Sequence, residues 1–321
     1  MTEVEKLATA SLRKLIEQNP AYSIDSDPPQ WLFGTNHITF GKTNGKPVVF
    51  KYFNWPPRKT QEETALRLFA PTGLVPKLFS IESETILVME RFEGSPLNLI
   101  EQNAQEELLS KVYYQLGEAL GHIVTIAPGS KPGGRRDIKA KLGFDYEFFT
   151  QASTEILFNT VIDRANEILT DNSIPESPIL SASLALLQQN RDAILTFPTF
   201  VQMDDFHTNN IIVNDSHLKG FIDLEMSRYG NEVLVLASAL AAITKDVHKR
   251  WQWLIQGYEN RRGYSIDKGI LNLVNIAAPF TQWIRFMWYW TTDPNGLEEG
   301  ITTRGWPIRD IKAITNRIGV P

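Results

Sequence analysis

The chain has 321 residues, 42% hydrophobic and 21% charged. That is an ordinary globular composition, too long for one ordinary core and suited to two lobes or domains. It holds no cysteine, which excludes disulfides, thiolate zinc sites and cysteine nucleophiles, and its net charge of −5 without a long basic run argues against a nucleic-acid partner.

Residues 1–19 read as an amphipathic helix with charges distributed through it, lacking the apolar stretch of a signal peptide. No window of about 18 apolar residues suggests a membrane span, so no membrane partner is expected and a cytoplasmic location is the default. Short β-type runs follow at 31–33, 38–40 and 47–53, with Thr43-Asn44-Gly45-Lys46 as a hairpin turn between the last two. The spacing predicts a helix over 59–69, with Leu66 and Phe69 on its apolar face and Pro71-Thr72-Gly73 ending it. Strands at 78–81 and 85–90 complete this part.

After Gly94 helical periodicity prevails, at 106–126, 146–170, 184–196, 234–243, 248–261 and 270–290. A Gly- and Pro-containing loop is expected at 128–136. A β-rich island interrupts the helices at 200–223: a strand, a polar loop, a strand at 210–213, a turn at 214–217 and a strand at 220–222. The fold class is therefore α+β. We expect a sheet-rich N-terminal lobe over 1–93 and a helical C-terminal lobe over 94–321.

Three polar residues of the island carry chemistry. Asp205 and Asn210 stand five apart on a loop leading into a strand, and Asp223 ends the next strand. Taken singly, each reads as a turn residue. Phosphoryl transfer, however, needs a carboxylate to accept the proton of the attacking hydroxyl. It also needs an amide oxygen and a second carboxylate to hold Mg²⁺ against the phosphates. Asp205, Asn210 and Asp223 supply that set.

The stretch Asp205-Phe206-His207-Thr208-Asn209-Asn210-Ile211-Ile212-Val213, followed by Phe221-Ile222-Asp223-Leu224-Glu225, resembles the catalytic and metal-binding segments of the aminoglycoside phosphotransferase-like family. That family includes antibiotic, choline, homoserine and methylthioribose kinases, and the resemblance covers roughly residues 30–240. It implies a bilobal protein-kinase-like fold that uses ATP and Mg²⁺ to phosphorylate a hydroxyl of a small polar molecule, amine-bearing ones included. Asp205 would be the catalytic base, and Asn210 and Asp223 the metal ligands. Lys51, the one charge in Val48-Val49-Phe50-Lys51-Tyr52-Phe53, would bind the ATP phosphates, held by Glu62 or, one residue on, Glu63. Gly34-Thr35-Asn36-His37 occupies the place of the loop over the phosphates, giving Gly34 and Asn36. The run from Leu87 through Glu90 and Phe92 to Gly94 resembles the adenine-binding strand and hinge.

Two departures stand out. Met203-Asp204 replaces the family's His-Gly before the catalytic Asp, and Val235 stands where a later Asp is usual. They motivate a rival reading, a weak or inactive pseudokinase-like nucleotide-binding module. Protein kinase activity is disfavoured, because no activation segment follows Asp223. Glu225 is read either as a metal or substrate contact or as a turn cap. His207 packs within the loop in this reading, since no two histidines have zinc-ligand spacing. Phe280, Trp283, Met287 and Trp290 share a helical face that is core, or else a pocket wall for a cationic group. Asp293, Glu298 and Glu299 beyond it read as a solvated acidic loop. The sequence names neither the acceptor nor the oligomeric state.

Overall fold

The computed structural model describes residues 3–26, 36–54, 56–126, 154–170, 178–203 and 206–280, and the single positions Trp283 and Ile314. The calls at 31–33, 128–136, 146–153 and 284–290, with Met287 and Trp290, lie outside the described residues, as do Asp204 and the acids at 293, 298 and 299. The chain divides into two compact units, one of residues 1–108 and 209–227, the other of 109–208 and 228–321.

The first unit is built on an antiparallel sheet. Its strands are β1 (Tyr22–Ser26), β2 (His37–Thr43), β3 (Lys46–Tyr52), β4 (Leu78–Ile81) and β5 (Ile86–Glu90), in the order β1-β2-β3-β5-β4. Asn44 and Gly45 both take positive φ, as a two-residue hairpin between β2 and β3 requires. Helix α1 (Glu3–Gln18) buries Ala8 and Leu12, four residues apart and so on one face. Leu12 packs with Tyr22, Val48, Phe50, Ile86 and Val88 on one side of the sheet. The strand period of two sends Lys51 to the opposite side from Val48 and Phe50. There it meets helix α2 (Pro56–Phe69).

Helix α2 begins three residues before the expected start. Proline suits the first helical turn, because its missing N–H would have no partner there anyway. Strand β1 was not expected. Its Tyr-Ser-Ile-Asp-Ser sequence has only two strong strand formers, and pairing along β2 fixes it at the sheet edge.

The island expected at 200–223 divides between the units. In the first unit, β6 (Ser95–Pro96) leads into the one-turn helix α3 (Leu97–Ile100). It also pairs with β8 (Ile211–Asn214), which pairs with β9 (His217–Phe221). Asp215 and Ser216 form the two-residue turn between β8 and β9, both at positive φ, as its mirror-image geometry demands. In the second unit, β7 (Thr199–Gln202) pairs with an unexpected strand, β10 (Arg228–Asn231). Gly and Asn make β10 a poor strand by propensity, and its partner supplies what the local sequence lacks.

The second unit is otherwise helical: α4 (Glu106–Ile126, entering from the first unit), α5 (Thr154–Thr170), α6 (Pro178–Gln189), α7 (Arg191–Leu195), α8 (Glu232–Ala242), α9 (Val247–Arg262) and α10 (Lys268–Ala277). The single helix expected at 184–196 is two, α6 and α7. In α4, Leu109, Val112, Tyr113, Leu116, Leu120, Ile123 and Val124 are buried with helical spacing. Helices α4 and α9 approach at glycines. A Cβ on Gly117 would lie 1.9 Å from the Leu254 carbonyl, and one on Gly257 would lie 1.9 Å from that of Tyr114. Asn231 caps α8, its side-chain oxygen accepting from the Leu234 N–H at 3.0 Å while its amide donates to the Ile194 carbonyl at 2.8 Å. Phe280 and Trp283 are buried, and Phe280 stacks on Phe158 at 4.9 Å.

Candidate functional site

The first unit contains a buried ion cluster. Lys51 lies on β3 with its side chain 4% exposed, and an isolated ammonium there would cost several kcal/mol in lost hydration. Two carboxylates offset that cost. Lys51 Nζ donates to Glu62 Oε2 and to Asp223 Oδ1, each at 2.5 Å. Burial alone would lower the lysine's pKa. Asp223, then Glu62 and Glu225, outweigh burial and hold it well above the usual range, so the ammonium stays charged. Glu62 is pushed up to about 7, by burial first and by the negative charges of Asp223 and Glu225, against the pull of Lys51.

The choice left open between Glu62 and Glu63 has a geometric answer. Successive helical residues point about 100° apart, so only one can face the strand. Glu62 reaches Lys51, whereas Glu63 pairs with Lys59 and Arg67, each at 3.1 Å on α2 itself.

Asp223 follows β9 and takes a left-handed backbone, φ 62°. Aspartate tolerates that region better than most residues, and such strain concentrates where a side chain must be aimed. Asn210 stands at the end of the neighbouring strand. The Ile211–Phe221 pairing and the bond from Ile222 N–H to the Asn210 carbonyl at 2.9 Å bring the backbones of 210 and 222 together. The register thus puts Asn210 and Asp223 at adjacent strand ends.

Glu225 is buried rather than capping an exposed turn. One carboxylate oxygen accepts from the Arg58 guanidinium at 2.6 Å; the other accepts from the Asn36 amide and lies 3.5 Å from Lys51 Nζ. Gln61 Nε2 also donates to the Ser227 carbonyl at 2.5 Å. Arg58, Gln61 and Glu62, three and four residues apart, thus form one polar face of α2 turned toward Lys51 and the 223–227 segment. Sequence reasoning missed Arg58 because it began the helix at Lys59. The prolines at 56 and 57 were the available signal.

Glu62, Asp223 and Glu225 each place one oxygen within 4.8 Å of the others. With Glu62 counted as ionised, three carboxylates against Lys51 and Arg58 leave the cluster formally one charge negative (−3 + 2). Hard oxygen donors with a negative excess suit a divalent cation such as Mg²⁺.

Glu90 ends β5, and its carboxylate accepts from the Lys77 N–H at 3.2 Å. The Phe92 ring, two residues on, faces the Lys219 ammonium at 5.1 Å. Asp205 and Gly34 lie outside the described residues. Met203 is buried, and so is Val235, within α8. Among the described residues, no helix is long and apolar enough to cross a membrane.

The profile of the phosphotransferase enzyme family matches residues 40–264. No curated protein matches in sequence. Among solved structures, the GDP complex of an aminoglycoside 2'-phosphotransferase-IIIa mutant superimposes with a TM-score of 0.67 at 13% identity, covering 97% of this chain and 99% of its own. The choline kinase LicA from Streptococcus pneumoniae gives 0.60 at 16% identity, covering 98% and 100%. The ADP-bound aminoglycoside phosphotransferase APH(2'')-Ib gives 0.54 at 16% identity, covering 98% and 97%. At these identities the likeness shows the fold, which is kinase-like and α+β.

Proposed function

The chain belongs to the phosphotransferase enzyme family and is a small-molecule kinase, and from that premise we propose that it transfers the γ-phosphoryl group of ATP to a hydroxyl of a small, polar, amine-bearing molecule. The observation that carries this reading is the buried Lys51 held between Glu62 and Asp223. A permanently charged ammonium in a shielded site is a strong electrostatic partner for phosphate oxygens.

In this reading Lys51 binds the α- and β-phosphates and Glu62 fixes its position. Asn36, beside Glu225, and Gly34 are assigned to covering the phosphates. Glu90 and Phe92 mark the segment that receives the adenine. Asp223 and Asn210 would hold Mg²⁺, which neutralises phosphate charge and orients the γ-phosphoryl group. Asp205 takes the proton of the acceptor hydroxyl as that oxygen bonds to the γ-phosphorus. The bond from the γ-phosphorus to the β,γ-bridging oxygen breaks, and ADP leaves.

The nucleotides in the solved neighbours are ADP and GDP, so the choice of purine is part of the test. The neighbours' names, an aminoglycoside phosphotransferase and a choline kinase, both point to hydroxyl compounds that carry an amine or ammonium group. That supports the acceptor class without choosing a member.

The experiment measures phosphoryl transfer from ATP and from GTP, with Mg²⁺, to a panel of amino alcohols, sugars and aminoglycosides. Wild type is expected to phosphorylate at least one amine-bearing alcohol, and Asp205→Asn to lose about 10²–10⁴-fold of that rate, the usual contribution of a general base. Equal inertness of the two proteins, with nucleotide still bound, would overturn catalysis and favour the rival nucleotide-binding module that Met203-Asp204 motivates.

A further inference from the structure

Resting on the assignment of Lys51 to the ATP phosphates, we infer that Arg58 is a positioning residue: by neutralising Glu225 it reserves one N–H of Lys51 for phosphate. An ammonium has three N–H donors. Glu62 and Asp223 take two of them at 2.5 Å. Glu225 is a third carboxylate within reach, 3.5 Å from Lys51 Nζ and 6% exposed at its side chain. A carboxylate so buried requires a cation. Arg58 provides it at 2.6 Å, on the oxygen of Glu225 that faces away from Lys51.

Without the guanidinium, the cation left to Glu225 among its described partners is Lys51. The ammonium would then face three carboxylates with three donors. Phosphate would have to displace one of them and approach a cluster two charges negative (−3 + 1) rather than one. Arg58 therefore sets nucleotide affinity without touching nucleotide.

The geometry also explains why the residue is an arginine in the first turn of α2. From there its side chain reaches Glu225 while Gln61, one turn on, holds the Ser227 carbonyl. The same helix face thereby fixes both the charge and the path of the segment that carries Asp223.

The test measures the Kd of a non-hydrolysable ATP analogue with Mg²⁺ by calorimetry, alongside melting temperature, for wild type, Arg58→Met, Arg58→Lys and the double variant Arg58→Met/Glu225→Gln. Arg58→Met is expected to weaken binding about tenfold to a hundredfold, the range for losing one charge-assisted hydrogen bond. The double variant should recover most of that loss, because no third carboxylate then competes for Lys51. Arg58→Lys keeps the charge, and its Kd should stay nearer wild type than that of Arg58→Met. A double variant that binds no more tightly than Arg58→Met would overturn the inference, since a purely structural role of Arg58 predicts no recovery. So would an Arg58→Met protein that folds and binds like wild type. Should Arg58→Met fail to fold, the lysine variant decides: binding weakened a hundredfold despite a native melting temperature would overturn it. A wild type that binds no nucleotide at all would instead sink the functional reading itself.

Discussion

Around Lys51 the chain buries an ammonium beside three carboxylates. Along α8 it buries nine consecutive residues, Val233 to Ala241, all apolar except Ser238. Both regions are screened from water, yet their energetics differ. The valine and leucine side chains of α8 each gain about 1.5–3 kcal/mol from burial. The Lys51 cluster carries a net negative charge, and the desolvation of its members consumes most of what their attraction returns. On the proposed reading the first region is explained by what it binds and the second by what it holds together. Stability and activity should therefore separate between them.

Lys51→Met should give the largest effect and breaks the comparison from the functional side. It leaves the buried Glu62 and Glu225 and the partly exposed Asp223 with Arg58 alone. We expect unfolding free energy to fall by about 3–5 kcal/mol and transfer rate by about 10²–10³-fold or more. Denaturant melts and steady-state kinetics measure the two losses. An active Lys51→Met enzyme would remove the cluster from the mechanism.

Leu236→Ala, in α8, should cost about 2–5 kcal/mol of stability through the cavity it leaves, with KM for ATP unchanged in the folded fraction. A changed KM at full folding would mean that the apolar region is not merely structural. Glu63→Gln sharpens the contrast with its neighbour. Its pairs with Lys59 and Arg67 lie along one helix, so stability should move by less than about 1 kcal/mol and kcat/KM not at all.

Part of the candidate site was legible because its signals were local. Lys51 stood out as the one charge among Val48, Phe50 and Phe53, and the structure sets it between Glu62 and Asp223, while the spacing of Asp205, Asn210 and Asp223 was read as a metal-binding hairpin, of which Asp205 lies outside the described residues. Arg58 and the burial of Glu225 were not legible. Their meeting depends on tertiary structure, since they stand 167 positions apart, and on a helix start read three residues late. Strands β1 and β10 escaped for a similar reason: their residues are indifferent strand formers, and their partners decide. Val235, which stands where the family resemblance expects an aspartate, is buried within α8.

The central claim is that Asp223 belongs to a metal-assisted nucleotide site rather than to a structural ion cluster. The most direct measurement is the melting temperature with ATP, in the presence and absence of Mg²⁺, for wild type and Asp223→Asn. The account predicts that ATP with Mg²⁺ raises the wild-type melting temperature well beyond ATP alone, since a ligand bound only by the folded state stabilises it in proportion to its affinity. It predicts that the Mg²⁺-dependent part disappears in Asp223→Asn, a variant that stays folded because it removes one charge from an acidic excess. A Mg²⁺-dependent rise that survives in Asp223→Asn would contradict the account.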